Sequence, residues 1–235
     1  MKEKIEISGN GLKMIAVVTM LIDHIAAALL FNIVLKQGTG GVVYSVYAFM
    51  RSIGRIAFPI YCFLLVEGFQ KTRNRKKYAF RLLLFAFLSE IPFDLAFYGT
   101  FWNPKNQNVF ITLLLGFFVM ATFEKIEKSK QSIGFIWVEK ILILALVAGF
   151  SEWIFCDYGA YGVVAIALLY LFRCNKKEQI VAGCISFLWE LPALLAFIPI
   201  GFYRGKRGFQ MKYFFYFFYP VHLLFLYGIR CLWLL

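Results

Sequence analysis

The stretch that decides the fold is Met14–Val34, which reads MIAVVTMLIDHIAAALLFNIV. It is apolar almost throughout, and a helix of this length, at about 1.5 Å per residue, crosses the roughly 30 Å hydrocarbon core of a bilayer. Asp23 and His24 interrupt the run near its middle. An acid beside an imidazole is costly in hydrocarbon, so intramembrane residues of this kind are usually functional. This pair is therefore the first candidate for a functional site.

The composition indicates the same class of protein as this first run. Of the 235 residues, 61% are hydrophobic, 20% aromatic and only 16% charged, and the mean hydropathy is +0.72. A soluble core could not hide so much apolar surface. The first run lacks a small-residue cleavage pattern, so we expect it to stay in place as the first spanning helix. The sequence predicts an all-α, polytopic integral membrane helical bundle.

Apolar runs continue along the whole chain, separated by short loops. We expect about eight transmembrane helices, and eight to ten with broken segments counted, because each run is long enough to approach the bilayer thickness. No low-complexity linker interrupts the series, so residues 1–235 are expected to form one domain. The predicted spans are residues 13–34, 44–69, 79–98, 107–123, 136–151, 158–173, 180–200 and 212–233.

The basic loops predict the orientation of the chain. Lysines and arginines cluster at 71–77, 125–130 and 173–177, and such loops are retained in the cytoplasm. The N-terminus is then cytoplasmic as well. The stretch 203–212 breaks the pattern, because it is basic but would lie outside if segment 180–200 crossed once. Either that segment is broken and returns the stretch to the cytoplasm, which we favour, or the loop is external and binds an anion.

Two similar segments, 87–97 and 187–197, form a faint internal echo. In both, a carboxylate (Glu90, Glu190) precedes a proline (Pro92, Pro192) by two residues. A proline inside a helix frees backbone groups that must find partners within the protein. The pattern favours two broken helices that border a cavity, and a simple kink with a satisfied glutamate is the alternative.

Several polar residues share helix faces inside the predicted spans. Lys13 and His24 are eleven residues apart, which returns to nearly the same face of a helix, whereas Asp23 points about 100° away from His24. Arg51 and Arg55 are one turn apart in the second span. Two guanidiniums inside a membrane need anions, either carboxylates of the bundle or a phosphate of a ligand.

Other polar residues are candidates with a structural alternative. Asn108 is expected to cap a helix or to line a polar ligand-binding rim, and Asp157 is expected to be a helix N-cap or a functional residue. Arg81, at a cytoplasmic edge, is either a topology anchor or a phosphate ligand. The five cysteines and two histidines have no spacing that predicts a disulfide framework or a metal site, so no metal is expected.

Taken in chain order, the sequence resembles the TraX family of bacterial membrane proteins. The segments that carry the resemblance are Leu12–Ala16, Met20–His24, Gly54–Pro59, Glu67–Phe69 with Thr72, Tyr78 with Arg81 and Leu82, Ser89–Phe93, Asp157–Gly159 and Phe215–His222.

The resemblance implies an integral membrane acetyltransferase of the bacterial cytoplasmic membrane that takes its acetyl group from acetyl-CoA. The name-giving member acetylates the N-terminus of a pilin. TraX proteins are also similar to a wider set of transmembrane acyltransferases, in which an arginine and a histidine eleven residues apart on the first helix mark the active centre. In this chain Lys13 and His24 occupy those positions.

Site roles follow from the resemblance and from the chemistry of acyl transfer, which needs a base, donors to an oxyanion and cations for the CoA phosphates. His24 is expected to be the base, with Asp23 adding to its basicity and His222 orienting the acceptor or the oxyanion. Direct transfer and a covalent acetyl-histidine both stay open. The remaining expected ligands are Lys13, Arg55, Arg81, Tyr203, Lys206 and Arg207 for the donor, and Glu67, Glu90, Asn108, Asp157 and Tyr158 for the acceptor.

The acceptor is expected to be an amine or hydroxyl of a peptide, lipid or glycan. The net charge of +12 lies in short loops at membrane borders, so anionic membrane lipids explain it better than nucleic acid does. A homodimer is compatible with the small residues of several spans. The main rival is a transporter or channel that uses buried His, Asp and Arg as a proton or anion relay, and another is an assembly subunit whose buried charges only pair with each other.

Overall fold

The computed structural model describes residues 6–209 and 211–233. Over these residues the chain is helical, and its β-type contacts are isolated bridges outside any strand, between Ile7 and Tyr203 and between Gln107 and Cys156. The prediction of an all-α protein is confirmed. The α-helices are α1 (Gly9–Ile25), α2 (Phe31–Gln37), α3 (Val42–Gly54), α4 (Ala57–Lys71), α5 (Arg75–Tyr98), α6 (Val109–Glu127), α7 (Ile133–Trp153), α8 (Gly159–Leu171), α9 (Lys176–Ser186), α10 (Phe197–Phe202) and α11 (Lys212–Trp233).

Within the described residues, five stretches are long and apolar enough to cross a membrane. They correspond to five of the predicted spans, and they are Gly9–Gln37, Val42–Lys71, Val109–Glu127, Ile133–Trp153 and Tyr213–Leu232. The other three predicted spans differ from a simple crossing for physical reasons. Helix α5 carries basic residues in its first turns and two acids in its second half, α8 has only 13 residues, and segment 180–200 is broken. The described residues therefore confirm a multi-helix membrane protein, and the number eight stays a prediction.

The apolar surface of helix α7 supports the membrane assignment. Ile141, Leu142 and Leu146 are each more than half exposed, and only 11% of its most apolar window is buried by the protein. So large an apolar surface would aggregate in water. It is suited to contact with lipid tails.

By its contacts the chain divides into two compact units built from interleaved segments. The first unit consists of residues 1–64, 88–102 and 187–235. In it α1 packs against α3 and α11, and a five-residue π-helical turn, Ala26–Leu30, links α1 to α2. Ser8 caps α1 by accepting a hydrogen bond from the backbone of Gly11. The expectation of one domain over residues 1–235 stays a prediction.

The second unit consists of residues 65–87 and 103–186, in which α8 packs against α6, α7 and α9. Its core holds Phe69, whose ring makes edge contacts with Phe117 at 5.1 Å and Tyr170 at 5.6 Å between centroids. Gly116 allows the close approach of α6 to α8, because a Cβ there would lie 2.4 Å from Ile166 Cδ1. This unit holds the basic loop 71–77 together with the C-terminal end of α6.

The two segments of the internal echo adopt different structures. Helix α5 runs through Pro92 without a break, so the expected interruption of the first copy is wrong. A proline has a helical φ, and the lost hydrogen bond and the ring clash cost about 3 kcal/mol, which the packing of a long helix on either side can offset. In the second copy Glu190 leaves the helical conformation and Leu191–Ala196 forms a 3₁₀ segment. The predicted break is therefore confirmed only at Pro192.

The basic stretch 203–212 folds against the start of the first helix. The backbone N–H groups of Ile7, Gly9 and Asn10 donate to the carbonyls of Phe202, Lys206 and Arg207 at 2.8–3.1 Å. The stretch therefore lies at the same end of α1 as the N-terminal segment, and its cytoplasmic placement stays a prediction. Gln210 and the side chain of Lys212 lie outside the described residues.

Candidate active site

The two histidines of the chain are in direct contact within the first unit. Nδ1 of His24 on α1 lies 2.7 Å from Nε2 of His222 on α11. The rings are parallel within 4°, with centroids 5.0 Å apart. Because the two nitrogens are so much closer than the centroids, the rings lie edge to edge in nearly one plane. This is the geometry of a hydrogen bond between imidazoles, not of a face-to-face stack.

A carbonyl group determines the direction of this hydrogen bond. Nδ1 of His222 lies 2.6 Å from the backbone oxygen of Phe218, one turn earlier on α11. A carbonyl can only accept, so His222 Nδ1 carries a hydrogen. In a neutral ring His222 Nε2 is then an acceptor, and His24 Nδ1 donates to it. The remaining nitrogen of His24, Nε2, therefore holds a lone pair and can accept a proton.

Aromatic rings from two helices surround this histidine pair. Phe97 of α5 and Tyr219 of α11 make edge contacts with the His24 ring, at 5.2 and 5.8 Å between centroids. His222 is only 6% exposed, whereas His24 is partly exposed. The π-helical turn begins two residues after His24, and such turns often occur at functional sites. The pair thus lies among aromatic side chains, and His222 is buried.

Asp23, the chain neighbour of His24, belongs to a cluster of four charged residues. Asp23 Oδ2 accepts from Arg51 at 2.5 Å, and Asp23 Oδ1 lies 4.0 Å from Arg55. Arg55 Nε contacts Glu190 Oε1 at 3.1 Å. Two guanidiniums and two carboxylates make the cluster neutral, which is the condition under which charges are tolerated in a membrane.

Gly54 makes this cluster possible. A Cβ at Gly54 would lie 2.2 Å from both Cβ and Oδ1 of Asp23. The glycine therefore allows α3 to approach α1 closely enough for Arg51 to reach the aspartate. A larger residue would have to push the two helices apart.

The cluster leaves two acceptor atoms unused. Asp23 Oδ1 and Glu190 Oε2 are buried and have no hydrogen-bond partner among the described residues. Buried polar atoms without partners are rare in folded proteins. Neither oxygen of Asp23 holds the His24 ring, which agrees with the expected angle between the two side chains.

Two acidic residues lie on the face of α5 that carries Phe97. Glu90, Asp94 and Phe97 are spaced i, i+4 and i+7, so they share one side of the helix. Phe97 touches His24, and both acids are buried, Asp94 completely. This places the predicted acceptor ligand Glu90 on the His24 side of α5, about two turns from Phe97.

The other predicted residues of the first unit have partners of their own. The ammonium of Lys13 lies 5.1 Å from the centroid of the Phe215 ring. Tyr203 is buried, with its ring against Phe63. Lys206 binds Glu6 at 2.7 Å, which lowers the pKa of the Glu6 carboxyl chiefly through that hydrogen bond. These contacts explain the residues structurally, and their roles toward a donor stay predictions.

Arg207 and Arg55 are two further predicted phosphate ligands of the first unit. Arg207 is exposed, and its backbone carbonyl accepts from Asn10. The sequence left either a carboxylate or a ligand phosphate open as the anion for Arg55. The structure shows carboxylates, because Asp23 and Glu190 contact its guanidinium. A phosphate would have to compete with both carboxylates for this guanidinium.

Two predicted residues of the second unit have clear structural roles. Asn108 caps α6: its Oδ1 accepts from the backbone of Phe110 and its amide donates to the carbonyl of Ala86. The alternative of a polar rim has no support from these contacts, since the side chain is completely buried. Glu67 pairs with Lys71 at 2.5 Å along one face of α4.

The remaining three predicted residues lie at helix ends and edges of the second unit. The expected N-cap role of Asp157 is wrong, because Tyr158, in the left-handed conformation, is the N-cap residue of α8. The Asp157 carbonyl accepts instead from the hydroxyl of Thr112. Arg81 lies 5.6 Å from the Tyr78 ring centroid, and its Nε is buried without a hydrogen-bond partner among the described residues.

Sequence reasoning did not assign Glu190, Asp94 or Gly54 to the site. Glu190 appeared only in the internal echo, where its position before a proline was a usable signal. Asp94 follows Glu90 by four residues, so helical periodicity would have found it. Gly54 gave no signal of its own, because its importance depends on a neighbouring helix.

The fold and the site together define a multi-helix membrane protein with a histidine pair and a neutral ion cluster inside its helices. The chain belongs to the TraX family, since the family model described as "TraX protein" matches residues 8–230. The resemblance seen in the sequence is confirmed. No solved structure matches the chain.

Two curated relatives show where similar chains occur. "Probable fimbrial assembly protein FimC, serogroup H1" of Dichelobacter nodosus is 32% identical over 259 aligned positions, which cover 95% of this chain and 96% of that protein. "Uncharacterized protein RP591" of Rickettsia prowazekii (strain Madrid E) is 27% identical over 175 positions, which cover 74% of this chain and 58% of that protein.

Proposed function

We propose that this TraX-family protein is an integral membrane acetyltransferase. It moves an acetyl group from acetyl-CoA to an amine, most simply the N-terminal amine of a peptide subunit that passes through the membrane. The name of the Dichelobacter nodosus relative, a probable fimbrial assembly protein, supports a pilin-like peptide as the acceptor. A hydroxyl of a lipid or glycan is the alternative acceptor.

The observation that carries the proposal is the contact between His24 and His222. Because His222 donates to a fixed carbonyl and accepts from His24, the lone pair of His24 is held at Nε2. A base needs one nitrogen that is oriented by a neighbour and another that can take a proton, and the proposal assigns the second role to Nε2 of His24. His222 is a positioning residue, because both of its nitrogens are already engaged.

The proposed reaction uses these groups in a simple order. The acceptor nitrogen forms a bond to the thioester carbonyl carbon while His24 Nε2 takes the proton that this nitrogen loses. The C–S bond then breaks, and the departing sulfur takes the proton from His24. While His24 is protonated, its Nδ1–H donates to His222, which stabilises the transient charge.

The ion cluster has a role in recognising the acceptor in this proposal. The neutral N-terminal amine that attacks the thioester can donate up to two hydrogen bonds, and Asp23 Oδ1 and Glu190 Oε2 are buried acceptors without partners among the described residues. Glu90 is proposed to act on the same acceptor from α5. Asp157 and Tyr158 are proposed acceptor ligands on the strength of the family resemblance alone.

The topology is also part of the proposal. The protein lies in the bacterial cytoplasmic membrane with its N-terminus in the cytoplasm, and about eight segments enter or cross the bilayer. The basic loops at 71–77, 125–130 and 173–177 support this orientation. Attachment of stretch 203–208 to the N-terminal segment puts its charges on the same side. Anionic lipids are proposed as neighbours of these loops.

A proton or anion relay is the second candidate function. The observation that favours it is the chain of ionisable groups from Arg51 through Asp23 and Arg55 to Glu190. Such intramembrane networks occur in transporters. The break at Glu190 and Pro192 also fits a transporter, where discontinuous helices line the transport site.

One experiment separates the two functions. The purified full chain in liposomes is given acetyl-CoA labelled in the acetyl group and a peptide with a free N-terminus, and both peptide labelling and proton flux are measured. The enzyme proposal predicts labelled peptide, lost in His24→Gln at unchanged thermal stability. Proton flux that depends on His24, with no labelled peptide and no loss of thioester, would instead establish the relay.

A further inference from the structure

A basic groove lies in the second unit, where the basic loop 71–77 meets the C-terminal end of α6. It has a volume of about 480 Å³ and is open to solvent at the surface. The groove is lined by Thr72, Arg73, Asn74, Arg75, Lys76, Glu124 and Lys128.

The charges of the groove do not balance. Glu124 pairs with both Arg75 and Lys128, so one carboxylate is shared by two cations. Arg73 and Lys76 are exposed and have no acidic partner among the residues that the structure describes. Four cations against one anion leave a strong positive field within a small space. The groove is therefore suited to a ligand with more than one negative charge.

The position of the cations on the helix supports the same conclusion. Arg75 and Lys76 are the first two residues of α5, and no acid occurs in its first turn. The N-terminus of a helix carries a partial positive charge, so cations there are electrostatically unfavourable and anions are stabilised. Asn74 caps this end by accepting from the backbone of Lys77. Both the helix dipole and the side chains thus attract an anion to one place.

Two contacts position the guanidinium of Arg75 in the groove. Its guanidinium lies 4.1 Å from the centroid of the Phe69 ring and pairs with Glu124. A stacked and paired guanidinium loses little freedom when it binds a phosphate. The groove therefore combines one ordered arginine with two exposed cations that can close on a ligand.

We propose that this groove binds the phosphate groups of the acyl donor, a nucleotide thioester, and the proposal rests on the acetyltransferase function above. The phosphates would interact with Arg73, Arg75 and Lys76 and with the start of α5. Arg55 is a weaker candidate, since the two carboxylates of Asp23 and Glu190 contact its guanidinium, whereas Arg75 shares the single carboxylate of Glu124 with Lys128. An anionic phospholipid headgroup has the same phosphate chemistry, so the test must separate the two sources.

The test compares two double variants with the same change of charge. Arg73→Gln with Lys76→Gln alters the groove, and Lys130→Gln with Lys177→Gln alters two exposed lysines of other basic loops. The full chain is placed in nanodiscs of phosphatidylcholine, and the affinities for CoA and for dephospho-CoA are measured. We expect the groove variant to weaken CoA binding by about tenfold to a hundredfold, with a smaller loss for dephospho-CoA, and the control variant to bind as the wild type does.

The acetyl-transfer assay and a second nanodisc composition complete the test. In the groove variant KM for acetyl-CoA should rise at nearly constant kcat. Equal CoA affinity in both double variants would overturn the proposal. If only the groove variant lost retention of phosphatidylglycerol, the proposal would be overturned in favour of a lipid as the ligand. If CoA binds the wild type and not the groove variant, while no protein transfers acetyl, the result supports CoA binding in the groove and contradicts the acetyltransferase function.

Discussion

His24 Nδ1 and His222 Nε2 form a hydrogen bond of 2.7 Å although 198 positions separate them in the chain. The bond fixes which nitrogen of His24 can accept a proton, because His222 is itself held by the carbonyl of Phe218. The His24 ring is thus oriented by the buried ring of His222. A positioned imidazole of this kind is the minimum that a general base requires.

The histidine pair makes a spectroscopic prediction. Since the chain has two histidines, selective ¹⁵N labelling of this residue gives a spectrum of two rings. We expect both rings to carry hydrogen on Nδ1 and a lone pair on Nε2 at neutral pH. His222→Asn, which leaves a single ring, assigns the signals. A hydrogen on Nε2 of His24 would contradict the direction of the bond.

Gly54 makes a prediction about stability. Gly54→Ala should lower the free energy of unfolding by about 1–3 kcal/mol, because the added Cβ would lie 2.2 Å from atoms of Asp23 and force α3 away from α1. Thermal unfolding in detergent measures the effect. Gly228→Ala is the matched control, since a Cβ there meets nothing within 4 Å and alanine favours a helix. Equal stability of the two variants would show that the helices do not approach at Gly54.

The pair of Asp23 and Arg51 makes a prediction about coupling. Asp23→Asn should cost roughly 1–3 kcal/mol, less than for a fully buried pair because both side chains are partly exposed, and it should leave Arg51 without its carboxylate. Adding Arg51→Gln should restore part of the loss, which a double-mutant cycle of unfolding free energies detects. The exposed pair of Glu6 and Lys206 should show little coupling in the same cycle. Strict additivity at Asp23 and Arg51 would contradict the pairing.

These residues also show what the sequence could predict. The helical class, the position of His24 and of His222 inside apolar helices, and the cap at Asn108 follow from hydropathy and from local hydrogen bonding. Each of these depends on residues close together in the chain. The contact between the histidines, and the use of Glu190 as the anion for Arg55, depend on helix packing and could not be derived from spacing.

The two copies of the internal echo illustrate the same limit in the fold. Both contain a glutamate two residues before a proline, yet α5 continues through Pro92 whereas the chain breaks at Glu190. The cost of a proline in a helix is a few kcal/mol, similar to what packing on either side can offset. Local sequence therefore cannot decide between a continuous and a broken helix.

The position of stretch 203–208 makes a topological prediction. In a background without the five native cysteines, Arg204→Cys should react with an impermeant maleimide in inside-out vesicles and not in intact cells, because this stretch is bonded to the start of α1. Thr39→Cys, beyond the other end of the first span, should show the reverse. Reaction of both cysteines from the same side would contradict the proposed arrangement.

The most direct test of the account is chemical rescue of acetyl transfer in His24→Ala. The account predicts that this variant stays folded, transfers acetyl from acetyl-CoA at least about a hundredfold more slowly than the wild type, and recovers part of the rate when imidazole is added. His222→Asn should lose less activity than His24→Ala, because asparagine can still accept from His24. Full transfer by His24→Ala without imidazole would contradict the claim that His24 is the base.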